Sequence, residues 1–225
     1  MKKIMVMLLS AVVAVNAMAV TYTAKAQVTL TSGSGSSFNL MLSESAEYGA
    51  LTGSVMYEGE GLPYVALYVI NGSDKLQIAK AADLRGAKLG LKTDAKTNYT
   101  IDVSSVAGSE TLYLYDAEQK KNYALTEGAH YDDIVAVANT TNETRFSLRK
   151  LADVLNVCFK GNKIEINENP FDDEIVVKDA NGDQIAGSPF AASTPLIDMT
   201  SIGAAGDRFT VEFNGGNKKF VIVKE

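Results

Sequence analysis

Residues Asn169 to Glu225 read NPFDDEIVVKDANGDQIAGSPFAASTPLIDMTSIGAAGDRFTVEFNGGNKKFVIVKE. The strand Ile175-Val176-Val177-Lys178 runs into Asp179-Ala180-Asn181-Gly182-Asp183. Its Asn-Gly pair suits the two positive-φ positions of a tight hairpin turn before Gln184-Ile185-Ala186 returns. Phe209 to Phe213 then alternates apolar and polar, Asn214-Gly215-Gly216-Asn217 interrupts it, and Phe220-Val221-Ile222-Val223 resumes as an apolar run. That order predicts a second hairpin ending on a buried strand, with Lys224 beyond it as an exposed charge whose loss should cost little stability.

The same grammar extends backwards. Turn chemistry recurs at Ser32 to Ser37, Glu58 to Gly61, Asn71-Gly72, Glu127-Gly128, Asn139 to Asn142 and Gly161-Asn162, with β-rich pieces of strand length between. Phe38 to Leu42 and Tyr99 to Val103 alternate, which predicts one buried and one wet face. Val65 to Ile70 and Leu112 to Tyr115 read as buried on both. Asp74 to Leu84 lacks a coherent apolar stripe and reads as a strand followed by a turn. The expectation is an all-β protein of two antiparallel, immunoglobulin-like β-sandwich modules, residues 27–150 and 151–225, after a cleaved signal peptide. The boundary falls at Lys150-Leu151-Ala152-Asp153. So short a junction leaves the modules in contact, and a protease selective for basic residues is expected to cut at Arg149 or Lys150 provided that the junction is exposed.

Lys2-Lys3 and the apolar run Ile4 to Val15 make residues 1–26 a secretory signal peptide, too short in its apolar part to be a membrane span. Two cleavage sites compete, Ala17-Met18-Ala19 before Val20 and Ala24-Lys25-Ala26 before Gln27, and Gln27 is the favoured mature N-terminus. No cysteine stands near either site, which excludes a lipoprotein anchor made on an N-terminal cysteine. The single cysteine, Cys158, cannot form an internal disulfide, so the fold must rest on packing. The formal charge is −6, and cleavage removes lysines but no acids. A chain this acidic repels nucleic-acid phosphates, and its cationic pairs, Lys120-Lys121 and Lys218-Lys219, form no basic stripe.

The tail resembles the type A C-terminal sorting domain of type IX secretion cargo. The matching positions are Asn169-Pro170, the D-x-x-G turn Asp179 to Gly182 with Asn181, the apolar segment Pro195 to Met199, Gly206 before the aromatic strand that starts at Phe209, and the terminal strand carrying Lys224. Upstream, Tyr99-Thr100-Ile101, Leu112 to Asp116, Tyr123-Ala124-Leu125 and Arg145 to Leu148 resemble the β-sandwich that precedes this domain in large surface proteins of the same bacteria. The resemblance implies a protein that crosses the periplasm and meets export machinery through its C-terminal module, ending outside the cell or on its surface. It implies no ligand.

The remaining residues carry weak chemistry. Asp179, Asn181 and Asp183 sit at alternate positions as in a calcium loop, but Gln184 occupies the position needing glycine and no glutamate follows at the twelfth, which favours a plain turn. Asp172-Asp173-Glu174 reads as a solvated charge cluster. His130, near Asp132 and Asp133, lacks the nucleophile elbow a hydrolase would need and reads as an exposed loop residue. Cys158 reads as a small buried hydrophobe. Tyr48, Tyr57, Tyr64 and Tyr68 are the one hint of a ligand surface, since rings beside acids on loops stack on sugars or anchor proteins. No catalytic, metal or cofactor site emerges. The expectation is a non-enzymatic binding or adhesion protein for an unidentified surface protein or glycan. The rivals are a self-assembling surface subunit joined by strand edges and a carboxylate-dependent hydrolase.

Overall fold

The computed structural model describes residues 20–56 and 65–224. The proposed signal peptide therefore lies largely outside the described residues. The chain is nearly all β, as expected. Its first part holds β1 (Ala24–Ser32), β2 (Ser37–Glu44), β3 (Thr52–Val55), β4 (Ala66–Asn71), β5 (Asp74–Ala81) and β6 (Lys88–Lys92). β7 (Asn98–Gly108), β8 (Leu112–Asp116), β9 (Lys121–Ala124), β10 (His130–Val135) and β11 (Thr141–Lys150) complete it.

These strands hydrogen-bond in the order β10-β7-β1-β2-β5-β4-β6-β11-β8-β9, with β3 attached to β5. Strand β5 joins the two halves of that path. Asp74 to Leu76 pair with β4, and Ile78 to Ala81 pair with β2. The β2–β5 pair is parallel, an exception to the otherwise antiparallel ladders. Alternation explains which side faces in: β1 buries Ala24, Ala26, Val28 and Leu30 and turns Lys25, Gln27, Thr29 and Thr31 outward. Strands β4 and β8 are buried on both faces for most of their length, as their unbroken apolar runs require.

One apolar cluster collects residues from both halves, from Ala24 to Leu148. The end strands β9 and β10 come together around it. The Tyr131 hydroxyl donates to the Ala124 carbonyl at 2.7 Å, its ring meets Tyr123 edge-on at 4.8 Å, and Lys121 pairs with Asp133. Beneath them Arg145 is 2 % and Asp116 0 % exposed. The guanidinium donates to Asp116 at 3.0 and 2.5 Å and to the Val135 carbonyl at 2.6 Å. A buried ion pair survives only with such full hydrogen bonding.

A short helix, α1 (Leu151–Val154), leads to the second part: β12 (Val157–Lys160), β13 (Lys163–Ile166), β14 (Val176–Lys178), β15 (Leu196–Asp198), β16 (Arg208–Phe213) and β17 (Lys218–Val223). They form two three-stranded sheets, β12-β13-β15 and β14-β16-β17, over a separate apolar cluster running from Leu155 to Ile222. The hairpins turning at Gly161 and at Asn214 to Asn217 stand where the sequence places them. Strands β12 and β13 supply Val157, Phe159, Ile164 and Ile166 to this core, so the stretch beginning at Asn169 does not contain the whole unit.

The expected protease-sensitive junction is not exposed. Arg149 and Lys150 end β11, paired with Tyr113 and Leu112, and the Arg149 guanidinium lies 3.3 Å from the centroid of the Tyr115 ring. Lys150 Nζ donates to Glu44 at 2.5 Å and Glu110 at 2.9 Å. Burial opposes its charge, but those carboxylates hold its pKa above the ordinary lysine range. Asp153 of α1 accepts the Lys150 amide at 3.0 Å and pairs with Arg85, which ties the junction to the first part again.

Candidate functional site

The sorting-motif-like residues fall into two groups. In the first, Asp179 builds its turn differently from a mirror-image two-residue hairpin. Its Oδ1 accepts the amides of Asn181 at 2.9 Å and Asp183 at 3.0 Å, and only Gly182 has positive φ, at 88°. The carboxylate thus serves its own backbone, and the return is a single bridge, Lys178 to Gln184. No group of three or more His, Cys, Asp or Glu placed to hold a metal occurs among the described residues.

Asp179 and Asn181 line a cleft of about 360 Å³ together with Ile202, Gly203 and Phe209. Phe209 is 3 % exposed and meets Phe159 edge-on at 6.0 Å. Its ring lies so close to Gly203 that a Cβ there would stand 2.6 Å away, and Gly203 also has φ of 69°. Gly206 belongs to the same loop and donates its amide to the Lys224 carbonyl at 2.8 Å.

Lys224 overturns the expectation of an exposed charge. It is 6 % exposed, and its ammonium donates to the carbonyls of Met199 at 2.7 Å, Ile202 at 3.0 Å and Gly203 at 3.1 Å. Three donors meet three acceptors, with no carboxylate in ion-pair distance among the described residues. The last strand is also not wholly buried. Ile222 points inward at 9 % exposure, while Val221 at 66 % and Val223 at 49 % face solvent. Among the described residues β17 hydrogen-bonds in a ladder only with β16, so its other backbone edge has no strand partner there. On the outer face Glu212 accepts from Lys178 and Lys219, both at 2.8 Å, and these cations hold its pKa below the ordinary carboxylate value.

Asn169 and Pro170 stand apart from that cleft. Asn169 Nδ2 donates to the Ala192 carbonyl at 3.1 Å, and its Oδ1 accepts the Phe171 amide at 3.1 Å, which orients Phe171. Asp172 to Glu174 are exposed.

The tyrosines do not make one patch. Tyr68 is fully buried, its ring lying where a Cβ on Gly90 would be 2.3 Å away and its hydroxyl donating to Glu143 at 2.8 Å. It is a core residue, which corrects its reading as a ligand contact. Tyr57 and Tyr64 lie outside the described residues. Tyr48 is half-buried beside Tyr22, with Lys80 Nζ 5.9 Å from its ring centroid and Lys25 Nζ 5.1 Å from that of Tyr22. Burial first, then the hydrogen bond with Tyr22, raises the Tyr48 pKa. Sequence reasoning missed Tyr22 because it assigned that residue to the signal peptide.

Ala24, Ala26 and Gln27 all lie in β1, and the two alanines are 1 % and 2 % exposed. Thr23 donates its amide to the Glu44 carbonyl at 2.9 Å, and its own carbonyl accepts from Ser109 and Glu110 at 3.0 Å. A cut before Gln27 would strip three residues from an interior strand. We therefore propose Val20 as the mature start. Intact mass of the exported protein should correspond to residues 20–225, and a mass matching 27–225 would contradict that choice.

His130 lies in a strand, opposite Asp102 of β7, and its Nδ1 is 2.6 Å from Asp102 Oδ1. That bond raises the imidazole pKa. Of the expected neighbours, Asp133 pairs with Lys121 instead and Asp132 adds only its charge to the upward shift, and the ring bonds no hydroxyl or thiol among the described residues. Cys158 is half-buried on β12. No helix among the described residues is long and apolar enough to cross a membrane. Comparison with protein-family models, curated proteins and solved structures found no match.

Proposed function

We propose that this is a non-enzymatic protein of two β-sandwich modules that is carried through the periplasm to the cell surface or medium, where it acts by binding. In this reading residues 151–225 are the sorting module for a type IX export system. The observation that supports it best is the terminal strand. β17 lies at the edge of its sheet with Val221 and Val223 outward, and Lys224 pins its end to the loop that carries Gly206. An edge without a second strand partner and fixed at its end suits recognition by strand addition, in which main-chain bonds give affinity and alternate side chains give selectivity. The same edge would serve a self-assembling subunit by pairing with a second copy.

The test is localisation. In a host with a working type IX translocon the full chain should appear outside the outer membrane, and in an isogenic host lacking the translocon it should accumulate in the periplasm. The same distribution in both hosts would overturn the export reading.

A further inference from the structure

A second cleft, of about 490 Å³, lies between the two cores. Its size falls within the roughly 300–1,000 Å³ of small-ligand sites. Thr111 and Tyr113 line it from the first part, and Phe171, Asn214, Lys218 and Phe220 from the second.

Tyr113 is 4 % exposed as a residue, and its hydroxyl, which makes no side-chain hydrogen bond among the described residues, still reaches solvent and is free to donate. Burial pushes its pKa up to about 12, so at neutral pH it is a protonated donor. Phe171, oriented by Asn169, and Phe220, edge-on to Phe213 at 5.8 Å, are each half-buried and turn the rest of their rings to the cleft. Lys218 is exposed and makes no ion pair among the described residues. The cleft's other charges offset each other, since Glu110 accepts from Lys150 at 2.9 Å.

Two aromatic surfaces, a phenol donor, an amide and one uncompensated ammonium therefore converge. Aromatic surface suits the C–H face of a sugar ring, the phenol and the Asn214 amide suit its hydroxyls, and a single free cation matches one carboxylate. A phosphate ligand would ordinarily bring several cations or a bidentate arginine. We propose that the cleft between the cores binds a saccharide bearing a hexuronic acid unit, with Lys218 taking the carboxylate and Tyr113 donating to a ring hydroxyl. This names a ligand class for the binding role and does not depend on the export reading.

Titration calorimetry on the purified exported protein tests it, with a disaccharide ending in glucuronic acid and its glucose-ended counterpart as probes. The acidic sugar should bind about tenfold more tightly than the neutral one, a difference of one charge-assisted contact. Lys218→Ala, at an exposed position, should erase that preference, and Tyr113→Phe should weaken both sugars. No heat of binding for the acidic probe at about 10 mM overturns the proposal. So does equal affinity for the two sugars, a preference that survives Lys218→Ala, or unchanged affinities in Tyr113→Phe. Because binding is read on purified protein and export in cells, either reading can fail alone.

Discussion

Replacing Lys224 with Met should destabilise the second core by about 3 kcal/mol, while Lys218→Ala should change it by less than about 0.5 kcal/mol. Met keeps most of the apolar stem but leaves the carbonyls of Met199, Ile202 and Gly203 without their donor. Each buried acceptor so orphaned costs roughly 1–3 kcal/mol. Relief from desolvating an ammonium, and water reaching the less buried Ile202 and Gly203 oxygens, offset part of that sum. Because the two cores are separate clusters, the loss should be local. Amide hydrogen exchange of Val211 and Phe213 should quicken, and that of Val28 and Leu40 should not. Unchanged protection in β16 would mean that the ammonium is not a structural clamp.

That result would reverse what the sequence suggests, and the reason is physical. A lysine one residue from a chain end, after an apolar strand, reads as a solvated terminus. Its burial follows from the loop 199–203 turning three carbonyls toward one point, a placement with no local signature. Val221 and Val223 mislead in the same way, because an apolar run predicts burial on both faces while an edge strand of a small sheet has only one inner face.

Where neighbours along the chain decide the outcome, the sequence is readable. Tyr99 to Val103 alternates and buries every second residue, Leu112 to Leu114 is continuous and buried throughout, and Gly161 and Gly215 mark turns that are present. Pairing between distant strands is not readable in this way. Nothing in Asp74 to Ala81 announces that its halves pair with β4 and β2, or that one of those pairs is parallel. Tyr68 fails as a ligand residue for a similar reason, since the flat space its ring needs comes from Gly90 on the neighbouring strand. Ala24 and Ala26 satisfy the small-residue rule of a signal-peptide cleavage site and the packing rule of β1 equally well, and only the contacts of Thr23 separate the two.

The second core, in turn, defines what must be moved to test export. Residues from Asn169 onward carry the motif, but Leu155, Val157, Phe159, Ile164 and Ile166 belong to the same core. An unrelated passenger fused to residues 151–225 should leave the periplasm of a host with a working type IX translocon. The same passenger fused to 169–225 should remain behind, because five buried apolar side chains, worth roughly 1.5–3 kcal/mol each, are missing from its core. The direct measurement is the fraction of passenger recovered outside the outer membrane. Most of the 151–225 fusion outside is the expected result, and a 151–225 fusion that folds but stays entirely in the periplasm would contradict the sorting role.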